Sequence, residues 1–346
     1  MSETDPGDTL SRLILAYIPA RAVQVAAELG VADLIATGVT TIEGLAQATR
    51  ADPGTLRRLM RYLVGLDLFD ESETGYSLKA MGELLRGDVE GSYWSAARLS
   101  AFMFPAWVEL GHAVRTGEAG YHKYFGKPIF DHLAEDPERA AVFDTAMTAL
   151  YAPETAAILD ACDLSDVDTV IDVGGGNGSF MMEMLGRYPS MHGVIFDLPH
   201  VTERAFRNVE EVGLGERCRT VGGSFFEAIP EGADAIVLRH VIHDWPDEDA
   251  VRILANCERA LAPGGRVLVV EMLLADDGEA SPAKRFGIST FDLTMMVLYE
   301  GAERTEAEYR ALFEAAGLTL AGTTPTTSPS YVIEGRTAAR AGSVKT

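Results

Sequence analysis

The chain has 346 residues, 47% hydrophobic and 23% charged, with a formal net charge of -23. That is enough apolar material for two packed domains and too little polarity for a disordered chain. The acidic balance argues against nucleic acid as a partner, the polar start Met1-Ser2-Glu3-Thr4-Asp5 is unlike a signal peptide, and no run of about 18 apolar residues is expected to span a membrane.

Residues 1–100 read as mostly helical. Leu10, Leu13, Ile14, Tyr17 and Ile18 recur at helical spacing, Val23, Ala26 and Ala27 extend the pattern, and Leu29-Gly30 stops it. Thr41-Ile42 begins a second helix, Asp52-Pro53-Gly54 forms a turn, and residues 55–63 form an amphipathic helix. Leu68-Phe69-Asp70 and Tyr76-Ser77-Leu78 then pair as a two-stranded wing, which completes a winged-helix arrangement. Arg57, Arg58 and Arg61 sit where a recognition helix would carry them. Over residues 1–100, however, nine Lys and Arg face fourteen Asp and Glu, so a structural or dimerising role is expected. Residues 101–160 form a helical linker rich in aromatic side chains. Of these, Tyr121, Tyr124, Phe125 and Phe130 are core residues singly and a candidate wall for a flat apolar pocket together.

From residue 161 strands and helices alternate. Strands are predicted at 169–173, 194–197, 219–221, 235–238, 266–271 and 331–333, and helices at 179–188, 247–261 and 306–316. This reads as an open parallel sheet with helices on both faces. Residues 1–8 and 336–346 read as loose ends. Cys162, Cys218 and Cys257 lie far apart, as buried thiols of a reducing, cytoplasmic compartment do.

In such sheets ligands sit outside the carboxyl ends of the strands. Asp172-Val-Gly174-Gly-Gly176-Asn-Gly178 lies at such an end and opens a helix; its glycines allow close approach of a ligand. Asp197 ends the next strand, where a carboxylate accepts both ribose hydroxyls. The loop alone fits a dinucleotide as well. Asp172 favours S-adenosylmethionine, because a carboxylate repels pyrophosphate and tolerates an ammonium or sulfonium.

The fourth strand runs into Arg239-His-Val-Ile-His243-Asp244-Trp-Pro-Asp247. Glu271 ends the fifth strand and Glu303 follows in a loop, so His243 has acids at hand to orient it as a general base. His240, His243 and Asp244 are an incomplete metal set, and no metal is expected.

Four ordered motifs, Asp172 to Gly178, Phe196-Asp197-Leu198-Pro199-His200-Val201, His243-Asp244-Trp245 and Glu303-Arg304-Thr305, resemble the O-methyltransferases of the plant caffeic-acid type and their bacterial antibiotic-tailoring relatives. The resemblance spans nearly the whole chain. It implies an α/β fold, a Rossmann-like methyltransferase sheet behind an N-terminal, mostly helical winged-helix dimerisation domain, and a homodimer formed through that domain. It implies His243 as base with Glu271 and Glu303 flanking it, and a cofactor site of Asp172, Gly174, Gly176, Asp197, Leu198, Ser224, Phe225 and Arg239. It also implies an acceptor pocket drawing on Trp107, Phe143, Met147, Asp244, Met295 and Tyr299. One departure stands out: plant members carry an acid near the adenine where this chain has Ser224, followed by Phe225, which can pack on the ring.

The expected reaction is methyl transfer from S-adenosylmethionine to a hydroxyl of a small aromatic acceptor, releasing S-adenosylhomocysteine. A phenol at about 10 and a histidine at about 6.5 differ by roughly 3.5 pKa units, a gap that an acid on the second ring nitrogen would narrow. N-methylation of a heteroaromatic acceptor, or non-methylating chemistry on the same fold, is the alternative.

Overall fold

The computed structural model describes residues 5–274 and 282–337. It divides into two compact units: Met1–Pro105 with Glu138–Leu150, and Ala106–Pro137 with Tyr151–Thr346. The segment read as a linker, 101–160, is therefore shared out: residues 138–150 go with the first unit, the rest of it beyond 105 with the second.

In the first unit, helix Pro6–Ile14 is capped by the Asp5 side chain, which accepts the Gly7 N–H. Residues 6–8, expected to be loose, are thus helical, and residues 336–337, also expected to be loose, end a sheet strand; residues 1–4 and 338–346 of the loose ends lie outside the described residues. Helices Ile42–Thr49 and Pro53–Gly65 are capped by Thr41 and Asp52, each accepting the N–H three residues on. Asp52-Pro53-Gly54, read as a turn, is therefore the cap and first turn of a helix, with Pro53 at a position that lacks an intrahelical N–H partner in any case. Strands β1 (Phe69–Ser72) and β2 (Gly75–Leu78) form the wing. Leu45, Met60, Leu63 and Phe69 are at the centre of this unit's core. Arg57 pairs with Glu43 at 3.3 Å on the surface.

The expectation that no stretch is apolar enough to span a membrane is corrected. Residues Pro6–Glu28, helical but for a turn at Leu15–Ala16, pass by length and composition alone, an 18-residue window within them having a mean hydropathy of 1.2. Leu10, Leu13, Ile14, Tyr17 and Ile18 are exposed, whereas Ala22, Ala26 and Ala27 join the core.

The second unit is built on a seven-stranded sheet in the order β5-β4-β3-β6-β7-β9-β8. The strands are β3 (Thr169–Val173), β4 (His192–Asp197), β5 (Cys218–Gly222), β6 (Ala233–Arg239), β7 (Leu261–Met272), β8 (Leu318–Pro325) and β9 (Ser330–Thr337). The first five are parallel, but β9 runs antiparallel to both β7 and β8. The sheet is thus mixed rather than all parallel. The cause is local: Gly317 ends helix Glu306–Ala315 in a left-handed turn, β8 begins at once, and a hairpin returns as β9. β8 and the helices Pro199–Glu211 and Pro282–Leu298 are elements not predicted from the sequence. Two apolar layers cover the faces of the sheet, one around Ile253, Leu254 and Phe313, the other around Met181, Met184 and Leu185.

Candidate active site

The chain order reverses around β3, with β4 on one side and β6 on the other, so a crevice opens at their carboxyl ends. The glycine loop crosses it. Gly174, Gly176 and Gly178 have φ of 72°, 57° and 82°, a region costly for other residues. A Cβ at Gly174 would come within 2.7 Å of Val241, and one at Gly178 within 2.6 Å of Ile195. At Gly176 nothing lies within 4 Å, so the middle of the loop borders open space.

Asp197 is tied to this loop. One carboxylate oxygen accepts the Gly176 N–H at 2.8 Å and the other accepts its neighbour's, Leu198, at 2.6 Å. Asp172 lies beneath the loop, fully buried, with Oδ2 lacking a hydrogen-bond partner among the described residues. Burial, opposed by the Arg239 charge, pushes its carboxyl up to about 7. Ser224 Oγ accepts the Phe226 N–H at 3.3 Å, and the Phe225 ring stands edge-on to Phe226 and Trp245. Arg239 turns away into protein: its guanidinium donates to Glu154, Thr155 and the Tyr151 carbonyl, and lies over the Phe180 ring.

His243 sits on a short 3-10 turn, Ile242–Asp244, directly after β6. Its side chain is only 3% exposed. Nδ1 is 2.8 Å from Glu303 Oε1 and 3.3 Å from Glu271 Oε2, and Nε2 is 3.6 Å from Asp244 Oδ1. The three predicted catalytic residues are therefore brought together, with unequal parts. Glu303 is the direct hydrogen-bond partner of the ring. Glu271 uses Oε1 to accept three consecutive backbone N–H groups, of Val241, Ile242 and His243, at 3.0–3.2 Å. Glu271 thus builds the turn that presents the histidine, a role that no sequence pattern announced.

The electrostatics follow from this packing. Burial favours a neutral His243 ring, but the Glu271 charge, the Glu303 hydrogen bond and the Asp244 charge outweigh it and lift the ring to about 10. Burial, partly offset by the His243 charge, pushes Asp244 up to about 7. Glu271 is held below the ordinary carboxylate value, because the His243 and His240 charges overcome its burial. Glu303 goes the other way, raised chiefly by burial.

Arg304 fixes the loop that carries Glu303. Its guanidinium donates to the Ile242 carbonyl at 3.2 Å, to the Trp245 carbonyl at 2.7 Å and to Asp247 at 3.0 Å. Ala302 N–H donates to the His243 carbonyl at 2.9 Å. The loop and the turn approach so closely that a Cβ at Gly301 would fall 1.9 Å from the His243 carbonyl oxygen, so only glycine fits there.

Around the outer edge, the Phe130 ring stacks near Trp245 at 5.8 Å and lies 5.6 Å from Tyr299. Burial, then the Asp244 charge, raises the Tyr299 hydroxyl well above its ordinary value. Met295 is buried one helical turn before Tyr299. Of the aromatic run, Phe130 has ring contacts to these groups, and Tyr121, Phe125 and His132 pack on one another. Trp107 is half-buried in the second unit, and Phe143 and Met147 are on the helix that belongs to the first.

A second polar cluster, which sequence reasoning missed, adjoins the first. His240 Nε2 is 2.7 Å from Glu154 Oε1, and Ser330 Oγ donates to Glu154 Oε2 at 2.6 Å. His240 Nδ1 faces Glu271 Oε2 at 3.4 Å. The Tyr151 ring stacks on His240 with centroids 4.0 Å apart. The only signal for His240 was its spacing from His243, and Glu154 and Ser330 gave none. His240, His243 and Glu271 lie close enough to converge on a metal ion, but Nδ1 of each ring is already at ion-pair distance from Glu271 Oε2.

Comparison with known proteins agrees with this architecture. The O-methyltransferase dimerisation domain family matches residues 11–88, and the O-methyltransferase domain family matches residues 107–319. The chain is 36% identical over 329 residues to phenazine O-methyltransferase PhzM of Lysobacter antibioticus, covering 94% of this chain and 95% of that protein. It is 33% identical to aclacinomycin 10-hydroxylase RdmB of Streptomyces purpurascens, covering 93% of this chain and 89% of that one. Among solved structures it resembles the O-methyltransferase NcsB1 from neocarzinostatin biosynthesis, in complex with S-adenosylmethionine and 2-hydroxy-5-methyl naphthoic acid. That likeness has a TM-score of 0.83 at 34% identity, covering 92% of this chain and 96% of that one. With two family domains in the order its own units follow, the chain belongs to the S-adenosylmethionine-dependent O-methyltransferases.

Proposed function

We propose that this enzyme methylates a hydroxyl of a small aromatic acceptor, with His243 as general base. The observation that carries this reading is the division of labour on the His243 ring: Nδ1 is engaged by Glu303 at 2.8 Å, while Nε2 has no closer ion-pair partner among the described residues than Asp244, at 3.6 Å. An imidazole anchored through one nitrogen keeps the other for proton transfer. The flat faces of Phe130, Trp245 and Tyr299 suit an aromatic acceptor, and the PhzM and NcsB1 relatives, named for aromatic acceptors, support the same class.

The open space at Gly176 and the Asp197 carboxylate at the carboxyl end of β4 fit S-adenosylmethionine. Asp197 would hold the ribose, Leu198, Ser224 and Phe225 the adenine end, and Gly174 the methionine end. Asp172, sealed under the loop, would act through its charge, and Arg239 would set the floor of the site. When bound, the cofactor supplies an electrophilic methyl on a cationic sulfonium. A cation beside His243 favours the neutral ring that a base requires. A ring lifted towards the phenol value of about 10 closes the proton-transfer gap of about 3.5 units expected for an ordinary histidine. Holding the hydroxyl in line supplies much of the remaining acceleration, of order 7–11 kcal/mol for well-oriented reactants. Asp244, Met295 and Tyr299 would line the acceptor pocket, with Trp107 as a further candidate.

The exposed apolar side chains from Leu10 to Ile18, in a region matched by the dimerisation domain family, support a homodimer formed through the first unit.

Incubation with methyl-labelled S-adenosylmethionine and a panel of aromatic hydroxy compounds, 1,4-dihydroxy-2-naphthoic acid among them, tests the reaction. A labelled methyl ether is expected. An oxygenated product without label would place the enzyme with hydroxylases such as RdmB instead, and an N-methylated product would favour that alternative. Asp197→Ala should weaken cofactor binding by calorimetry; unchanged affinity would remove Asp197 from the ribose site.

A further inference from the structure

We propose that His240, held as an imidazolium between Glu154 and Glu271, is a positioning residue that draws the Glu271 charge away from His243 and so keeps the base able to lose its proton. The inference rests on the base reading of His243 and deepens it.

The argument begins with a contrast between two buried histidines. His243 has one nitrogen on acids and one near the acceptor side. His240 has a carboxylate at each nitrogen: Glu154 Oε1 at 2.7 Å from Nε2 and Glu271 Oε2 at 3.4 Å from Nδ1. A neutral ring would turn a lone pair towards one of these acids, and only the cation offers an N–H to both. Neither His240 Nδ1 nor Glu271 Oε2 has a hydrogen-bond partner among the described residues, so at 3.4 Å they face each other as an ion pair. The Tyr151 face, tilted 15° from the ring, is the surface a buried cation prefers. His240 also has φ of 52°, an uncommon backbone region for a side-chain-bearing residue, which aims its ring at this slot.

The other charged and titratable groups around His240 are few. Arg239, on the same segment, is paired with the same Glu154 oxygen at 3.1 Å. His243 lies with its ring centroid 5.5 Å away. Asp244 and Glu303 feel the His240 charge, and Tyr151 is too far above its ordinary value to ionise. Burial disfavours the charged His240 ring, but Glu154 and Glu271 overcome it and raise its pKa.

The consequence falls on Glu271 Oε2, which the two rings share at 3.4 and 3.3 Å. Two anions acting on His243 unopposed would lift its ring further still above the ordinary histidine value, and the base would be harder to empty. A positive charge 5.5 Å away counters this. At an effective dielectric near 20, such a charge shifts a neighbour by about one to two pH units.

The test is long-range proton–nitrogen NMR of the histidine rings in the full chain with S-adenosylhomocysteine bound, titrated between about pH 5 and 10. His240→Gln and His243→Gln provide the assignments. His240 is expected to carry protons on both nitrogens at pH 7. In His240→Gln the His243 pKa should rise by about one to two units. In Glu154→Gln the His240 pKa should fall, so this second variant reports even if the first does not fold. A neutral His240 at pH 7, or an unmoved His243 in His240→Gln, overturns the proposal. A purely structural His240 would lower thermal stability without moving the His243 titration. The base reading fails separately, through a His243→Ala enzyme that still turns over normally.

Discussion

Substitution of His243 by Ala is expected to lower turnover by about 10²–10⁴-fold, the usual contribution of a general base. S-adenosylmethionine affinity should be unchanged, because the cofactor candidates Asp197, Gly174 and Gly176 lie on β4 and the glycine loop rather than on the turn of His243. Single-turnover rates alongside calorimetry separate the two effects, and near-normal turnover would refute the assignment. The pH dependence carries the same information with a definite sign. His243 must be neutral to accept a proton, and its pKa is raised, to about 10. Turnover should therefore increase as pH rises above the ordinary histidine value, with the acid limb displaced to the alkaline side of about 6.5. In His243→Ala that limb should vanish together with the activity.

Glu271→Ala is expected to be the most damaging change to stability, by about 3–5 kcal/mol. It would strand the N–H groups of Val241, Ile242 and His243 in a buried place and remove the acid between two histidines. Glu271→Gln divides these roles. An amide oxygen can still accept the three N–H groups, so most stability should return, whereas the negative charge is gone. The His243 pKa should then fall, and the acid limb should move to lower pH. The midpoint of urea unfolding and the pH–rate profile of both variants are the measurements. Equal destabilisation by Ala and Gln would mean that the charge, rather than the acceptor, holds the turn.

Much of this architecture was legible. Near-continuous apolar runs located β3, β4 and β6, because strands buried on both faces leave little choice of residue. The run of glycines marked the loop, His243 and Glu271 were gathered by their places at strand ends, and Glu303 was read in a later loop. What escaped depended on contacts distant in sequence. β8 has a mixed burial pattern, with exposed positions throughout, and so carried no clear apolar alternation. Helix Pro199–Glu211 is strongly polar, with only Thr202, Ala205 and Val209 buried, too sparse a stripe to read. Glu154 meets His240 across 86 positions and Ser330 across 176, separations at which sequence patterning is silent. Glu271 was found as an acid beside a base, but its service to three backbone amides could be seen only once the turn was folded.

The antiparallel entry of β9 between β7 and β8 has a consequence for how the enzyme is made. During synthesis β7 emerges first and remains an open sheet edge, the kind of edge that invites wrong partners, until the hairpin returns to cover it. Ser330, the hydroxyl on Glu154, arrives on that same last strand. The ribosome must therefore release nearly the whole catalytic domain before either the sheet or the acid network beneath the base can close. A chaperone that shields the edge of β7 would act in that interval.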